Sequence, residues 1–382
     1  TRKGQQAYRK YMAEEGIWSQ VFFFSYRRPR NILRGMERLL SKSGITEIFS
    51  RGDSVAVKVH MGERGNVTYL RPTFVRQIVD IIKDAGGKPF VTDTTTLYPQ
   101  KRFTADDYRN SPIQHAPLVE TMGAPIIIAD GPKGYDGTLA PIGKTIENCE
   151  LREIEVASAI TRADAMIVVS HAKGHDLSGF GGAIKNLGMG CVTKRGKAVQ
   201  HRVNRPVLDE SKCNGCGACV KICPFDAIVI RDGKAIQDDK KCMNCSSCLY
   251  RCPQRAFYMA DGARERFQIY LAHGASGVSG LFSNGGKVGF VNFIQDVTPL
   301  CDCVPPAGRP VVQDAGILAA SDPVAIDKAS LDLIDQSPMM PGSPEVSPPD
   351  ILGKMNGTSS VVQMETAQRL GLGSLEYQLI EV

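Results

Sequence analysis

The residues best suited to chemistry are eight cysteines between Cys213 and Cys252. The stretch reads C-N-G-C-G-A-C-V-K-I-C-P and then C-M-N-C-S-S-C-L-Y-R-C-P, so the spacing C-x2-C-x2-C-x3-C-P occurs twice. A cubane iron–sulfur cluster needs soft thiolates at four corners, and two-residue gaps let one loop wrap three of them. In a doubled run, the fourth cysteine of each half ligates the other half's cluster. The spacing therefore predicts one [4Fe–4S] cluster on Cys213, Cys216, Cys219 and Cys252. A second is expected on Cys242, Cys245, Cys248 and Cys223. Zinc fits this array poorly, because its sites use four ligands from two C-x2-C pairs set further apart. The proline after each fourth cysteine turns the chain away. Asp226-Ala-Ile and Arg255-Ala-Phe then start matching strands, which gives the segment an internal pseudo-symmetry.

A second group of candidates follows the apolar run Ala165-Met-Ile-Val-Val-Ser170. It begins His171-Ala-Lys173-Gly-His175-Asp176 and continues through Gly179, Gly181, Gly182, Lys185 and Asn186. Glycines admit close backbone approach to a ligand, and Lys and His supply charge and proton transfer. The run is not a G-x-G-x-x-G fingerprint, since Ile184 stands where the third glycine belongs, and no acidic residue for a ribose is evident; NAD is not inferred. His171, His175, Lys173, Lys185 and Lys58 are the catalytic candidates. His171 or His175 would be the general acid, Lys185 an anion clamp and Asp314 an orienting carboxylate. His60 and the hydroxyl-rich Asp93-Thr94-Thr95-Thr96 also lie at strand ends, where open α/β sheets bind ligands. Asp93, Thr94, Thr95, Gly181, Gly182 and Asn186 are therefore candidates for binding substrate or cofactor. For each residue singly, a core position, a helix cap or a turn is the plain alternative. Cys301-Asp302-Cys303 could be a metal site, a redox-active pair or an extra cluster contact, or simply two buried thiols. His171 and His175 could also share a metal.

The elements that must position these residues read as an α/β fold. Residues 54–60 alternate Val55, Val57 and Val59 against Ala56, Lys58 and His60, as a strand does. A helix over 71–87 starts with Pro72 in its first turn and closes on Gly86-Gly87, and a strand over 88–93 completes a β-α-β unit. Further strands are expected over 124–130, 165–170, 288–294, 309–314 and, at an edge, 375–382. Helices are expected over 8–15, 30–41, 156–164, 263–273, 323–335 and 361–370. Residues 1–50 read as a lid or packing arm, with Val21-Phe-Phe-Phe a short buried strand or aromatic contact. Residues 99–123 read as irregular, Lys194-Arg-Gly-Lys as a basic turn and 336–350 as a surface loop. The expected fold class is α/β, a mostly parallel sheet with flanking helices, plus an inserted α+β ferredoxin-type domain. The parts are a body over 1–206, the insert over 207–260 and the rest of the body over 261–382.

Composition limits the alternatives. A chain of 382 residues with 42% hydrophobic content can bury a sizeable core. Of twelve cysteines, only Cys149, Cys191, Cys301 and Cys303 lie outside the array, which is not a disulfide scaffold and fits a reducing, anoxic cytoplasm. The net charge of +6 is spread, with small groups at residues 27–30 and 194–197. It reads as a solvated surface rather than a nucleic-acid face, and could also dock an acidic redox partner. No apolar run is long enough to span a bilayer. The chain starts at Thr1 rather than Met, which leaves room for an upstream export signal.

The motifs V-A-V-K-V-H, D-T-T-T-L-Y, S-H-A-K-G-H, G-G-A-I-K-N-L-G-M-G, D-V-T-P-L-C-D-C, Q-D-A-G-I-L-A-A-S-D-P-V-A-I-D and L-G-S-L-E-Y together resemble one family. This is domain of unknown function 362, an iron–sulfur family of bacteria and archaea. The resemblance implies an α/β body with a ferredoxin module inserted, and it implies no reaction. A broader architectural likeness is to the nickel-pincer lactate racemases. The expected activity is an iron–sulfur oxidoreductase passing low-potential electrons through two [4Fe–4S] clusters to a substrate or second cofactor at the strand-end loops. A flavin or a further metal could pair those electrons. A redox partner protein or small-molecule substrate follows from this, with the oligomeric state open. The alternative is a non-catalytic electron-transfer or ligand-sensing protein that docks a redox partner.

Overall fold

In the computed structural model, residues 18–27, 31–113, 121–146, 149–282 and 286–382 are described. An eight-stranded sheet runs through the body. Its order is Tyr377–Glu381, Ser19–Ser25, Gly316–Ala320, Val288–Ile294, Ala165–His171, Ser54–Val59, Lys88–Asp93 and Ile126–Ile128. Neighbours are parallel at every junction except the two that flank Gly316–Ala320. The sheet is thus mixed and mostly parallel. Strands covered on both faces are apolar on both, which is why Ala165–His171 and Val288–Ile294 are buried throughout.

Helices supply the two covers. Pro72–Asp84 begins on its proline and buries Phe74, Val75, Ile78, Val79 and Ile82. With Met36, Leu39 and Leu40 of Ile32–Lys42, these side chains pack on Val55, Val57 and Val59. The opposite face, which presents Ala56, Met166 and Val168, is covered by Ala263–Leu281 and Pro323–Gln336. Asp322 caps the latter helix by accepting from Val324 and Ala325 N–H groups.

Several elements differ from the sequence reading. Val21-Phe-Phe-Phe is a strand, one of its two readings, but Ser19–Ser25 is no lid: it lies inside the sheet, between Gly316–Ala320 and Tyr377–Glu381. The helix expected over 8–15 and most of the basic group at 27–30 lie outside the described residues. The expected helix over 156–164 is a single turn, Ser158–Thr161, because Glu153–Ala157 is a strand paired with Gly137–Pro141. Residues 309–314 form no sheet strand. The strand is the small-residue run Gly316–Ala320 just beyond. Ala263–Leu281 continues as helix through its glycines, since Gly274 lies against Gln200 and Gly277 against Ile154, where a side chain would collide. The supposed basic turn is the helix Lys194–His201, with Lys194 and Lys197 buried. The irregular stretch contains a capped turn, Ala105–Tyr108, and Ile351–Asn356 is a helix that the reading lacked.

The cysteine segment projects from one ladder, Val207–Leu208 against Phe257–Tyr258, and folds back through a hairpin, Ile228–Arg231 with Lys234–Gln237. Its halves match turn for turn. Gly215 and Gly217 have positive φ in the first half, as do Asn244 and Ser246 in the second, and Asp226 and Arg255 form a third such pair.

Candidate functional site

Cys213, Cys216, Cys219 and Cys252 line one cavity of the cysteine segment. Cys223, Cys242, Cys245 and Cys248 line a second. Each cavity takes three cysteines from one half and one from the other. Backbone N–H groups point at the sulfurs at 3.4 Å, from Ala235 to Cys213, Ala227 to Cys223, Asn244 to Cys242 and Ala256 to Cys252. Gln237 Nε2 donates to Cys242 Sγ at 2.9 Å. Burial, then the neighbouring Cys245 and Cys242, push the Cys248 thiol up to about 12. Four crowded sulfurs with donors aimed at them are a poor place for free thiolates and a suitable one for a bound cation.

The body places its own polar centre at the carboxyl end of Ala165–His171. The chain leaves that strand into a small hairpin, Lys173–His175 against Gly179–Gly181, so Lys173 and His175 share a face. The segment around residues 298–303 lies directly on it. Gly174 N–H donates to Thr298 O at 2.8 Å, and any Cβ at Gly174 would overlap the Pro299 carbonyl. That close approach brings Cys301-Asp302-Cys303 onto His171, Lys173 and His175. The Asp302 carboxylate, fully buried, receives His171 Nδ1 at 2.9 Å and sits 3.3 Å from Lys173 Nζ. Burial alone would raise the Asp302 carboxyl, but His171 and Lys173 outweigh it and hold the group well below the usual carboxylate range. His171 Nε2 faces the Gln295 carbonyl at 2.8 Å, so both ring nitrogens are engaged and neither is free for a substrate.

His175 and Lys185 differ from this locked triad. His175 Nδ1 accepts the Leu177 N–H at 3.1 Å, and Nε2 has no hydrogen-bond partner among the described residues. Burial, then the Lys185 and Lys173 ammoniums, hold its imidazole well below its ordinary value. The Lys185 ammonium also has no hydrogen-bond or ion-pair partner among the described residues. Burial first, and Lys173 next, bring it down to about 7. Gly181 leaves space beside both lysines: a Cβ there would lie 3.5 Å from Lys185 Cδ and 3.9 Å from Lys173 Cε. Cys301 and Cys303 are joined as a disulfide in this structure.

The other candidates are committed elsewhere. Lys58 Nζ pairs with Asp93 at 2.9 Å and donates to Asn186 Oδ1 at 2.6 Å, while Tyr108 Oη donates to Asp93 at 2.5 Å. Burial would raise Asp93, yet Lys58 and His60 hold it far down. Thr94 is held by Lys197 and Gly190 O, and Thr95 by Asp130. Gly182 makes room for Asp327, which caps Ala183 and Ile184 and is pushed up to about 6 by burial. Asp314 is exposed and accepts the Asp296 N–H. Glu63 and Arg102 went unread in the sequence. They form a buried pair at 3.1 Å, with Arg102 also reaching His60 and Tyr98. Their separation carries no periodicity that could have joined them.

The two regions touch. Tyr250 Oη, between Cys248 and Cys252, donates to Asp176 Oδ2 at 2.8 Å, next to His175. On the other side Phe225 meets Phe103 at 6.1 Å, and Asn244 Nδ2 donates to Ala198 O at 3.1 Å.

No curated protein matches the sequence. Among solved structures, the lactate racemase apoprotein from Thermoanaerobacterium thermosaccharolyticum is similar at 12% identity and a TM-score of 0.33, covering 78% of this chain and 53% of that one. A structural-genomics protein from Thermotoga maritima is similar at 11% identity and a TM-score of 0.28, covering 69% and 49%. This chain spans about half the length of each. The family model described as Domain of unknown function (DUF362) matches residues 55–332, more than half of the sequence, and the chain belongs to that family.

Proposed function

We propose that this protein is an iron–sulfur oxidoreductase, with two [4Fe–4S] clusters in a ferredoxin-like insert over residues 207–260 and a reaction centre in the α/β body. The observation that carries this reading is the pair of cavities, each ringed by four cysteines with one crossing from the other half. Cys213, Cys216, Cys219 and Cys252 would hold one cluster, and Cys223, Cys242, Cys245 and Cys248 the other. When bound, such clusters supply single low-potential electrons. In the body, Asp302 fixes His171 and Lys173, which position the hairpin, and the Lys173 ammonium adds positive charge for an anionic small molecule. Lys185, at about 7, can give or take a proton near neutrality, and His175 presents an unbonded Nε2. The Tyr250–Asp176 hydrogen bond ties the cysteine segment to that hairpin. A flavin or a further metal would pair the electrons for a two-electron substrate, and a redox partner protein would load them. A reducing compartment such as the cytoplasm suits these cluster-holding cysteines.

A second reading has one observation in its favour. Lys58, Asp93, Asn186, Thr94 and Thr95 satisfy one another or their neighbours, as in a body that recognises a partner without turnover. Anaerobic reconstitution with iron and sulfide analysis tests the first: about eight iron per chain are expected, and four or fewer after full loading would sink it. Reoxidation of the reduced protein by a small molecule, slowed in His175→Ala at unchanged cluster spectra, separates enzyme from carrier. Reoxidation by protein partners alone would favour the carrier.

A further inference from the structure

We propose that His175, Cys301 and Cys303 form a binding site for one thiophilic divalent transition ion, separate from the cysteines of the insert. An imidazole nitrogen of His175 and the two sulfurs all lie within 4.8 Å of one another. His175 and Cys301 are buried, and Cys303 is half-buried on the open side. The inference goes beyond the proposed redox function and does not rest on it, since all three donors belong to the body.

The scaffold holds these donors in place. Thr298 O accepts from Gly174 at 2.8 Å, Pro299 O accepts from Asn356 Nδ2 at 2.9 Å, and Asp302 O accepts from Glu63 N–H at 2.9 Å. The Asp302 side chain is anchored by His171 and Lys173. The two cysteines therefore flank a fixed residue, with His175 opposite them on a strand pinned to the same segment. The donor set is chemically selective. Two thiolates and an imidazole suit zinc-like ions and not magnesium or calcium, which require oxygen. Two thiolates, one divalent cation and a neutral imidazole also sum to zero charge, so the group can be buried without an unpaired ion. Three protein ligands leave a fourth position for water or substrate, as in catalytic rather than structural sites. The ring of His175 is held by the Leu177 N–H, which donates to Nδ1 at 3.1 Å.

The site exists in the reduced chain. A phosphine or a dithiol delivers two electrons to the Cys301–Cys303 bond. The S–S bond breaks, the reductant is oxidised, and two thiolates are released to the ion. The experiment uses the full chain, with its iron measured, reduced by a phosphine and desalted without oxygen. Cobalt(II) is titrated as a spectroscopic probe, then displaced by zinc. One cobalt per chain with a sulfur-to-metal charge-transfer band is expected. Cys301→Ser and Cys303→Ser should abolish the band. Zinc should also protect Cys301 and Cys303 of the unmutated chain from alkylation, a readout independent of how the variants fold. An unchanged band in the Cys301→Ser/Cys303→Ser double variant would overturn the proposal, as would the absence of zinc protection in the reduced wild type. Iron content reads the insert separately, so missing iron with intact cobalt binding would refute the clusters and leave this site standing.

Discussion

All eight cysteines of the insert's two cavities fall between Cys213 and Cys252, whereas the body collects His171, Lys173, His175 and Lys185 from one side of that insert and Cys301, Asp302 and Cys303 from the other. The first arrangement is fixed by short loops with left-handed turns at matching places. The second exists only because Val288–Ile294 lies parallel to Ala165–His171, in register from Met166 to His171, and delivers its trailing segment onto the hairpin. One site is local and tolerant of what the rest of the molecule does. The other depends on the global sheet and on buried charges that must be matched.

The largest test of that contrast is Asp302→Asn. It strips the counter-charge from buried Lys173 and the carboxylate that holds buried His171, and breaking a buried pair costs about 3–5 kcal/mol. Urea unfolding should show the loss while amide hydrogen exchange over residues 207–258 stays unchanged; a parallel rise in exchange there would mean that the two regions are not independent. Lys185→Met comes next. The unfolded ammonium titrates near 10.5 and the folded one at about 7, so between those values the unfolded chain binds the extra proton and wild-type stability rises with pH. The burial penalty is fully present below pH 7. The variant should therefore exceed wild type most below pH 7, with the advantage fading towards pH 10; urea midpoints across that range that run in parallel would show Lys185 to be solvated. The smallest effect belongs to the insert. Ser246 sits at φ 60 where the first half has Gly217, and its buried hydroxyl has no hydrogen-bond partner among the described residues. Ser246→Gly should stabilise the insert by about 1 kcal/mol, seen as slower amide hydrogen exchange over residues 242–252. Faster exchange there would show the halves to be less equivalent than their turns suggest.

Legibility followed the same division. The four-cysteine groups that line each cavity are the groups that the spacing marks out, because spacing in a short loop is geometry. The continuous apolar strands and the Pro72 helix were equally plain. Gly316–Ala320 was not, since Gly and Ala carry little strand preference and its place is set by antiparallel neighbours on both sides. The helix reading ends at His273 because the continuation is too Gly-rich to assign, yet glycines there serve tight packing within Ala263–Leu281. Lys194 read as surface charge, yet its ammonium lies 3.6 Å from the centre of the Phe103 ring. In the polar centre, His171, Lys173, His175 and Lys185 stood out by type. The decisive partner, Asp302, registered only as the residue between two thiols, and the Glu63–Arg102 pair was beyond reach because sheet order alone joins it.

The position of Ser19–Ser25 has a consequence in time. Both of its neighbours in the sheet, Gly316–Ala320 and Tyr377–Glu381, come from far later in the chain. On the ribosome this Phe-rich strand emerges early and finds its first hydrogen-bonding partner only after residue 316 has been made. The cysteine segment, by contrast, has all its ladders within residues 207–258 and can close as soon as it emerges. Synthesis therefore presents a finished insert on an unfinished body, and the long-range pairing that completes the sheet is the slow, exposed step of its birth.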